Sequence, residues 1–395
     1  MPQISLKSFW LNNWTTTVNT KFMEPGGDAT FNVATEVNGG FWSQVNETPA
    51  VVTDFVHGTH IKSIKYRPNV GDWQVTPAGV VSDSGSRISF YIYLVALPAG
   101  TFGYVATVTN SSLSQVLAIK LTSTGVLQIH DASGTQIGTD GSTLSTGQWY
   151  RLCLAYTITS TSVNEIRLFV DSATDISISN ATLGTVVSNK VNFGNGQIDT
   201  TLDFRSSDHY IDDSAALTDT GDVWVTAKRP NADGTLNEFD TQIGVGGSGY
   251  GSGHTPQVNE RPLDTANGWS EIGAGSAATE EYTVESASTG DIDISTATLV
   301  DWGGWIHCDA TVGEIGTIIA GGTTSTFTLS TANRTITKFV GSTTYPAGGN
   351  DVGLTTDTTV STANLYEAGV MIAFIPGAVS AVRRIIQNLL HMGVG

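Results

Sequence analysis

With 36 acidic against 18 basic side chains in 395 residues, the chain carries a formal charge of −18. That balance argues against direct nucleic-acid binding, since phosphate contacts need lysine and arginine, and it favours a self-repelling surface. The length suits two domains better than one core, and 44 glycines with only 14% charged residues suit short strands joined by turns, so the expected class is all-β.

Residues 1–30 mix Phe9, Trp10, Trp14 and Phe22 with polar side chains and stop at Pro25-Gly26-Gly27, as an entry segment does. The opening MPQISLKSFWLNNW holds no apolar stretch of signal-peptide length, which predicts synthesis in a cytoplasm. The turn His57-Gly58-Thr59, followed by Ile61, Ile64 and Tyr66, predicts a hairpin. His57 and His60 stand three apart, a spacing that suits a metal on a helix and not in a turn entering a strand, so no metal site is expected. Residues 86–97, SRISFYIYLVAL, are nearly continuously apolar and predict a strand buried on both faces. Further strands follow, with turns at Ser123-Thr124-Gly125 and Asp131-Ala132-Ser133-Gly134.

The stretch 148–171 organises the rest. Tyr150, Leu152, Leu154 and Tyr156 alternate with Trp149, Arg151, Cys153 and Ala155; after a polar connection, Ile166, Leu168 and Val170 alternate with Glu165, Arg167 and Phe169. Period two on both sides predicts an antiparallel pair with one face in a core. A Trp-Tyr-Arg strand, a short excursion, an Arg-Leu-Phe-Val-Asp strand and a closing Ile211-Asp212-Asp213 resemble the concanavalin A-like (LamG-like) jelly roll over roughly residues 25–220.

Beyond it, VWVTAKRP (223–230) reads as a strand and Asn231-Ala232-Asp233-Gly234 as a turn. Gly244, Gly246 and Gly249 match G-x-G-x-x-G, but no helix pattern follows, so a loop is expected and no nucleotide cofactor. Seven apolar or β-prone runs in 278–375 predict a second sandwich, within a region (231–376) of 17 acidic and 3 basic side chains. The longest apolar run, 368–379, is broken by Pro376 and too short to span a bilayer. From Ala378, Val382, Ile385, Ile386, Leu389 and Leu390 recur at helical spacing opposite Arg383 and Arg384. A C-terminal amphipathic helix is expected there, docking on its own sandwich or on a partner through those residues. The expected architecture is thus all-β: a jelly roll (1–225), a second acidic β-sandwich (226–376) and a docking helix (377–395).

This combination resembles structural proteins of tailed-bacteriophage virions. The resemblance implies a non-enzymatic head-decoration, fibre or tail protein, found in the virion, assembling with itself as a homo-oligomer and with other virion proteins. Concanavalin A-like folds also include glycoside hydrolases, which need paired carboxylates on one face. The nearest matches, Asp291-Ile-Asp293-Ile-Ser295 and Glu281 with Glu285, are incomplete. His307-Cys308-Asp309 cannot close a metal site on one strand, because neighbours point to opposite faces. The alternative function is carbohydrate binding, with Trp42, Trp73 and Tyr104 as stacking candidates equally suited to packing. Cys153 and Cys308 are too few and too far apart for a disulfide framework and are expected to be free and mostly buried.

Overall fold

The structure is a computed structural model that describes residues 44–377 with breaks, the longest at 244–268 and 329–351. Every regular element among the described residues is a strand. No helix there is long and apolar enough to cross a membrane.

The first strands are β1 (Gln44–Asn46), β2 (Ala50–Val52), β3 (Ser63–Tyr66), β4 (Trp73–Val75), β5 (Ser86–Ala96), β6 (Phe102–Thr109) and β7 (Gln115–Thr122). They are followed by β8 (Leu127–His130), β9 (Gln136–Ile137), β10 (Trp149–Ile158), β11 (Asn164–Val170), β12 (Ala173–Ser179), β13 (Lys190–Gly194) and β14 (Asp203–Asp212). They form two antiparallel seven-stranded sheets, in the orders β1-β4-β13-β6-β7-β8-β9 and β12-β11-β10-β5-β14-β3-β2. The chain passes repeatedly from one sheet to the other, as jelly rolls do.

The expected pair is present: β10 and β11 run antiparallel with Leu154 opposite Leu168 and Tyr156 opposite Ile166. Their alternate residues do what period two requires. Tyr150, Leu152, Leu154, Tyr156, Ile166 and Leu168 enter a core shared with Phe90, Ile92 and Leu94 of β5 and with Leu117, Ile119 and Leu121 of β7. Each such side chain contributes roughly 1.5–3 kcal/mol by leaving water. The turns also fit: Gly125 and Gly134 take φ of 84° and 81°, and Gly134 donates its N–H to the Asp131 carbonyl.

The other face of the β5–β10–β11 sheet is covered by the chain itself, so Ser89 and Tyr91 of β5 are buried there although they face away from the first core. Segment 215–222 crosses it. Arg151 forks onto Asp219 at 2.7 and 2.5 Å and reaches Ser172 Oγ at 2.8 Å. Arg167 donates to the Leu217 carbonyl at 3.1 Å, and Arg87 pairs with Asp212 and donates to Thr218 Oγ1 at 3.3 Å. Beneath lie Cys153, Ala155 and Phe169, with Leu217 packed on them. Cys153 and Cys308 are both free and buried, and burial pushes the Cys153 thiol up to about 11.

Two five-stranded sheets follow. Their strands are β15 (Trp224–Lys228), β16 (Pro230–Asn237), β17 (Thr241–Ile243), β18 (Trp269–Ile272) and β19 (Ala278–Val284). The rest are β20 (Thr298–Ala310), β21 (Ile315–Ala320), β22 (Thr323–Thr328), β23 (Val352–Thr356) and β24 (Ala363–Ile375). In one sheet the long β24 pairs with β20 along one edge and with β15 and then β18 along the other, with β17 outside β18. The second sheet has the order β16-β19-β23-β21-β22. Tyr282, Ile306, Ile318, Leu354, Leu365 and Val370 fill the core beside them.

Two local expectations change. Asn231–Gly234 is no turn: it lies within β16, whose register slips twice against β19, so turn-forming residues here make bulges. Ile292–Ala297 is not a strand; Asp293 accepts the Ser295 N–H at 2.9 Å in a turn before β20, which dismantles the partial acid motif. The expected helix and its Val382, Arg383, Arg384, Ile385, Ile386, Leu389 and Leu390 lie outside the described residues, as do the glycine-rich 244–254 and His60.

The two sets of sheets share a seam. Val223, Val225 and Ala373 join the first core, while Tyr91 of β5 joins the second. Gly58 sits in it at φ 56°, where an added Cβ would fall 2.0 Å from Trp224 Cη2. Gly58→Ala is therefore expected to cost about 1–3 kcal/mol, read as a lower urea midpoint at unchanged slope. An unshifted midpoint would show that Trp224 does not close on this turn.

Candidate functional site

Of the three aromatic candidates, Trp42 lies outside the described residues, and Trp73 is described only by its backbone, which pairs with Asn46 and Gly194. Tyr104 is fully placed. It stands on β6 in line with Lys120 of β7 and Gln128 of β8. The residues next to these in sequence, Val105, Ile119, Leu121, Leu127 and Ile129, enter the core. Tyr104, Lys120 and Gln128 therefore share the sheet's opposite face, because side chains alternate along a strand.

Lys120 is the unusual member. It is 1% exposed, and its ammonium lies 3.8 Å from the Phe102 ring centroid and 4.5 Å from that of Tyr104. The two rings stand edge to face at 6.0 Å, and both are half-buried. Burial lowers the lysine pKa, with Asp131 pulling the other way. Cation–π attraction offsets about 0.5–2 kcal/mol of the desolvation of an ammonium, which runs to several kcal/mol.

The other buried lysine and arginines among the described residues are better satisfied. Arg151 has Asp219; Arg205 has Asp54 at 2.9 and 2.7 Å and also Asp203; Lys228 donates to the carbonyls of Ile292 and Thr289. The Lys120 ammonium instead lies against two aromatic faces, with Asp131 acting on it through space and no ion pair to it among the described residues.

Polar groups surround this centre. His130 places Nδ1 2.8 Å from the Gly134 carbonyl and Nε2 3.0 Å from Gln128 Oε1. Both are acceptors, and a neutral ring can donate to only one. Burial holds the His130 pKa below the usual histidine value; the Gly134 carbonyl opposes this and Lys120 reinforces it. Asp140, exposed at the edge, accepts from Gln128 Nε2 at 2.8 Å and Gln136 Nε2 at 2.9 Å, fixing both amides. Asp131 closes the adjacent turn by accepting the N–H groups of Ser133 and Thr135. Burial works against its charge, but these bonds outweigh it and lower its pKa. The result is an aromatic platform over a buried cation, rimmed by oriented amides. It can stack on an apolar ring face, hydrogen-bond hydroxyls and receive negative charge.

A second buried constellation was invisible in the sequence. β14 bulges at Asp208, whose φ is 51°, between Ser207 opposite Tyr91 and Tyr210 opposite Ser89. The Asp208 carboxylate meets His57 Nδ1 at 2.7 Å, Ser207 Oγ at 2.7 Å and the Val225 N–H at 2.8 Å. His57 stacks on Tyr91 with centroids 3.7 Å apart. Ser207 and His57 both bond the carboxylate, so Ser207 does not reach Asp208 through His57, and the group is buried within the seam. Among the described residues no three His, Cys, Asp or Glu side chains gather as metal ligands.

No protein-family model matches the chain, and no curated protein does. Solved structures similar to it include an endo-β-1,4-glucuronan lyase from the fungus Trichoderma reesei, at 14% identity over 45% of this chain and 93% of that one, with a TM-score of 0.35. Cellulose induced protein Cip1 matches at 15% identity over 48% and 95%, TM-score 0.35. A Trypanosoma rangeli sialidase matches at 12% identity over 41% of this chain but only 27% of its own, TM-score 0.30. The likeness is one of fold and transfers no residue. It does correct one expectation. The chain was expected to be non-enzymatic because an acid pair is missing; a missing motif excludes no activity, and with two enzymes among these three similar structures that expectation is withdrawn.

Proposed function

We propose that this protein binds carbohydrate, as a lectin-like adhesion protein, through the outer face of β6–β8. The observation that carries this reading is the Phe102–Tyr104 pair, half-exposed on a rigid sheet beside Gln128 and Gln136, whose amides Asp140 holds in one orientation. Sugars present apolar ring faces and hydroxyls, and this face offers a partner to each. Tyr104→Ala is expected to weaken glycan binding by roughly tenfold or more while leaving the core intact, as measured by a glycan array followed by calorimetry. Unchanged binding in that variant would move the site elsewhere.

The amphipathic pattern of 378–395 favours a second reading, in which the chain assembles as a homo-oligomer with other proteins of a virion. Its expected signature is loss of self-association, read by light scattering, in a chain ending at Pro376. Division into two β-sandwich domains near residue 225 is proposed with it; that position lies in β15, at the seam.

A further inference from the structure

We propose that the site on β6–β8 takes a sugar bearing a carboxylate, a uronic or sialic acid unit, with Lys120 receiving the acid group. The inference rests on the carbohydrate reading and specifies its ligand class.

Three observations carry it. Lys120 is a buried cation with aromatic faces against its ammonium and, among the described residues, no bonded carboxylate, Asp131 acting on it only through space, in a protein of charge −18 where Arg87, Arg151 and Arg205 all have bonded carboxylates. Its place is central on the face, between Tyr104 and Gln128, so a ring stacked on the aromatic pair would present substituents to it. The nearby carboxylates are occupied elsewhere: Asp140, exposed at the rim, with Gln128 and Gln136, and Asp131 with the N–H groups of Ser133 and Thr135. An incoming carboxylate would supply the charge-assisted partner that the ammonium lacks, and neutral sugars would not.

The test uses the full chain and four probes: a glucuronic acid oligosaccharide, its carboxyl-reduced counterpart, sialyllactose and lactose. Calorimetry is expected to show at least one acidic probe bound about tenfold or more tightly than its neutral counterpart, with a preference that weakens as salt is added. Lys120→Met should abolish that preference without lowering the melting midpoint, because it removes a poorly compensated buried charge. Lys120→Arg, which keeps the charge, should retain part of it. Comparable binding of acidic and neutral probes overturns the acid assignment and leaves the carbohydrate reading standing. An acid preference that survives in Lys120→Met overturns the role of this lysine. Failure of every probe to bind removes both.

Discussion

Replacing Asp208 with alanine is expected to lower the unfolding free energy by about 3–5 kcal/mol, far more than the loss of an exposed polar side chain would. Asp208 is 1% exposed, and among the described residues its carboxylate answers His57, the Ser207 hydroxyl and the Val225 N–H. Its removal opens a void and takes one charge-assisted partner from a buried backbone N–H, from a buried hydroxyl and from the His57 ring. Asp208→Asn keeps the volume and one acceptor and should cost less. Chemical denaturation of both variants reads the difference. A loss below about 1 kcal/mol in the alanine variant would mean that water enters the seam and satisfies these groups.

Acidification is expected to act through His209. This ring lies in the first core between Phe90 and Phe193, 4.4 Å from the latter, and burial drives its pKa down to about 3. In the unfolded chain it takes up a proton near pH 6.5. Between these values the unfolded state holds more protons, so stability falls as pH is lowered, by about 1.4 kcal/mol per unit. From pH 6.5 to 4.5 the loss attributable to His209 is roughly 2–3 kcal/mol. Over that range Asp54, Asp131 and Asp219, whose pKa values are lowered, stay charged. Comparing the slope of stability against pH with that of His209→Phe isolates the effect, because other groups cancel. Identical slopes would show that the ring is not held neutral by the core.

Much of the sandwich was legible because its alternation is strict. Leu152 and Leu154 announce a core face without help from any partner, and Gly134 announces its turn because the backbone needs positive φ there. What failed was inference from residue type where tertiary pairing decides. Asn231-Ala232-Asp233-Gly234 has turn chemistry, yet β19 recruits it into a strand and absorbs the misfit as bulges.

The sites were less legible still. Alternation assigns Tyr104 and Lys120 to the outer face, but nothing local says that Phe102, two residues from Tyr104 and eighteen from Lys120, folds over the ammonium. Asp208 and His57 are 151 residues apart, and their meeting depends on a bulge that the strand pattern does not encode. Exposed Phe55, held at φ 44° and stacked on Tyr93 at 4.5 Å, is a further feature that no periodicity indicates.

The arginine-pinned segment 215–222 gives the sandwich a front and a back. The flank it upholsters is already clothed by the molecule's own thread, so a bulky visitor meets that thread before it meets β5 or β10. Loosening the garment, for instance at Asp219, would undress Cys153 and Phe169 together, and solvent exchange at the β10 amides would register it as one event.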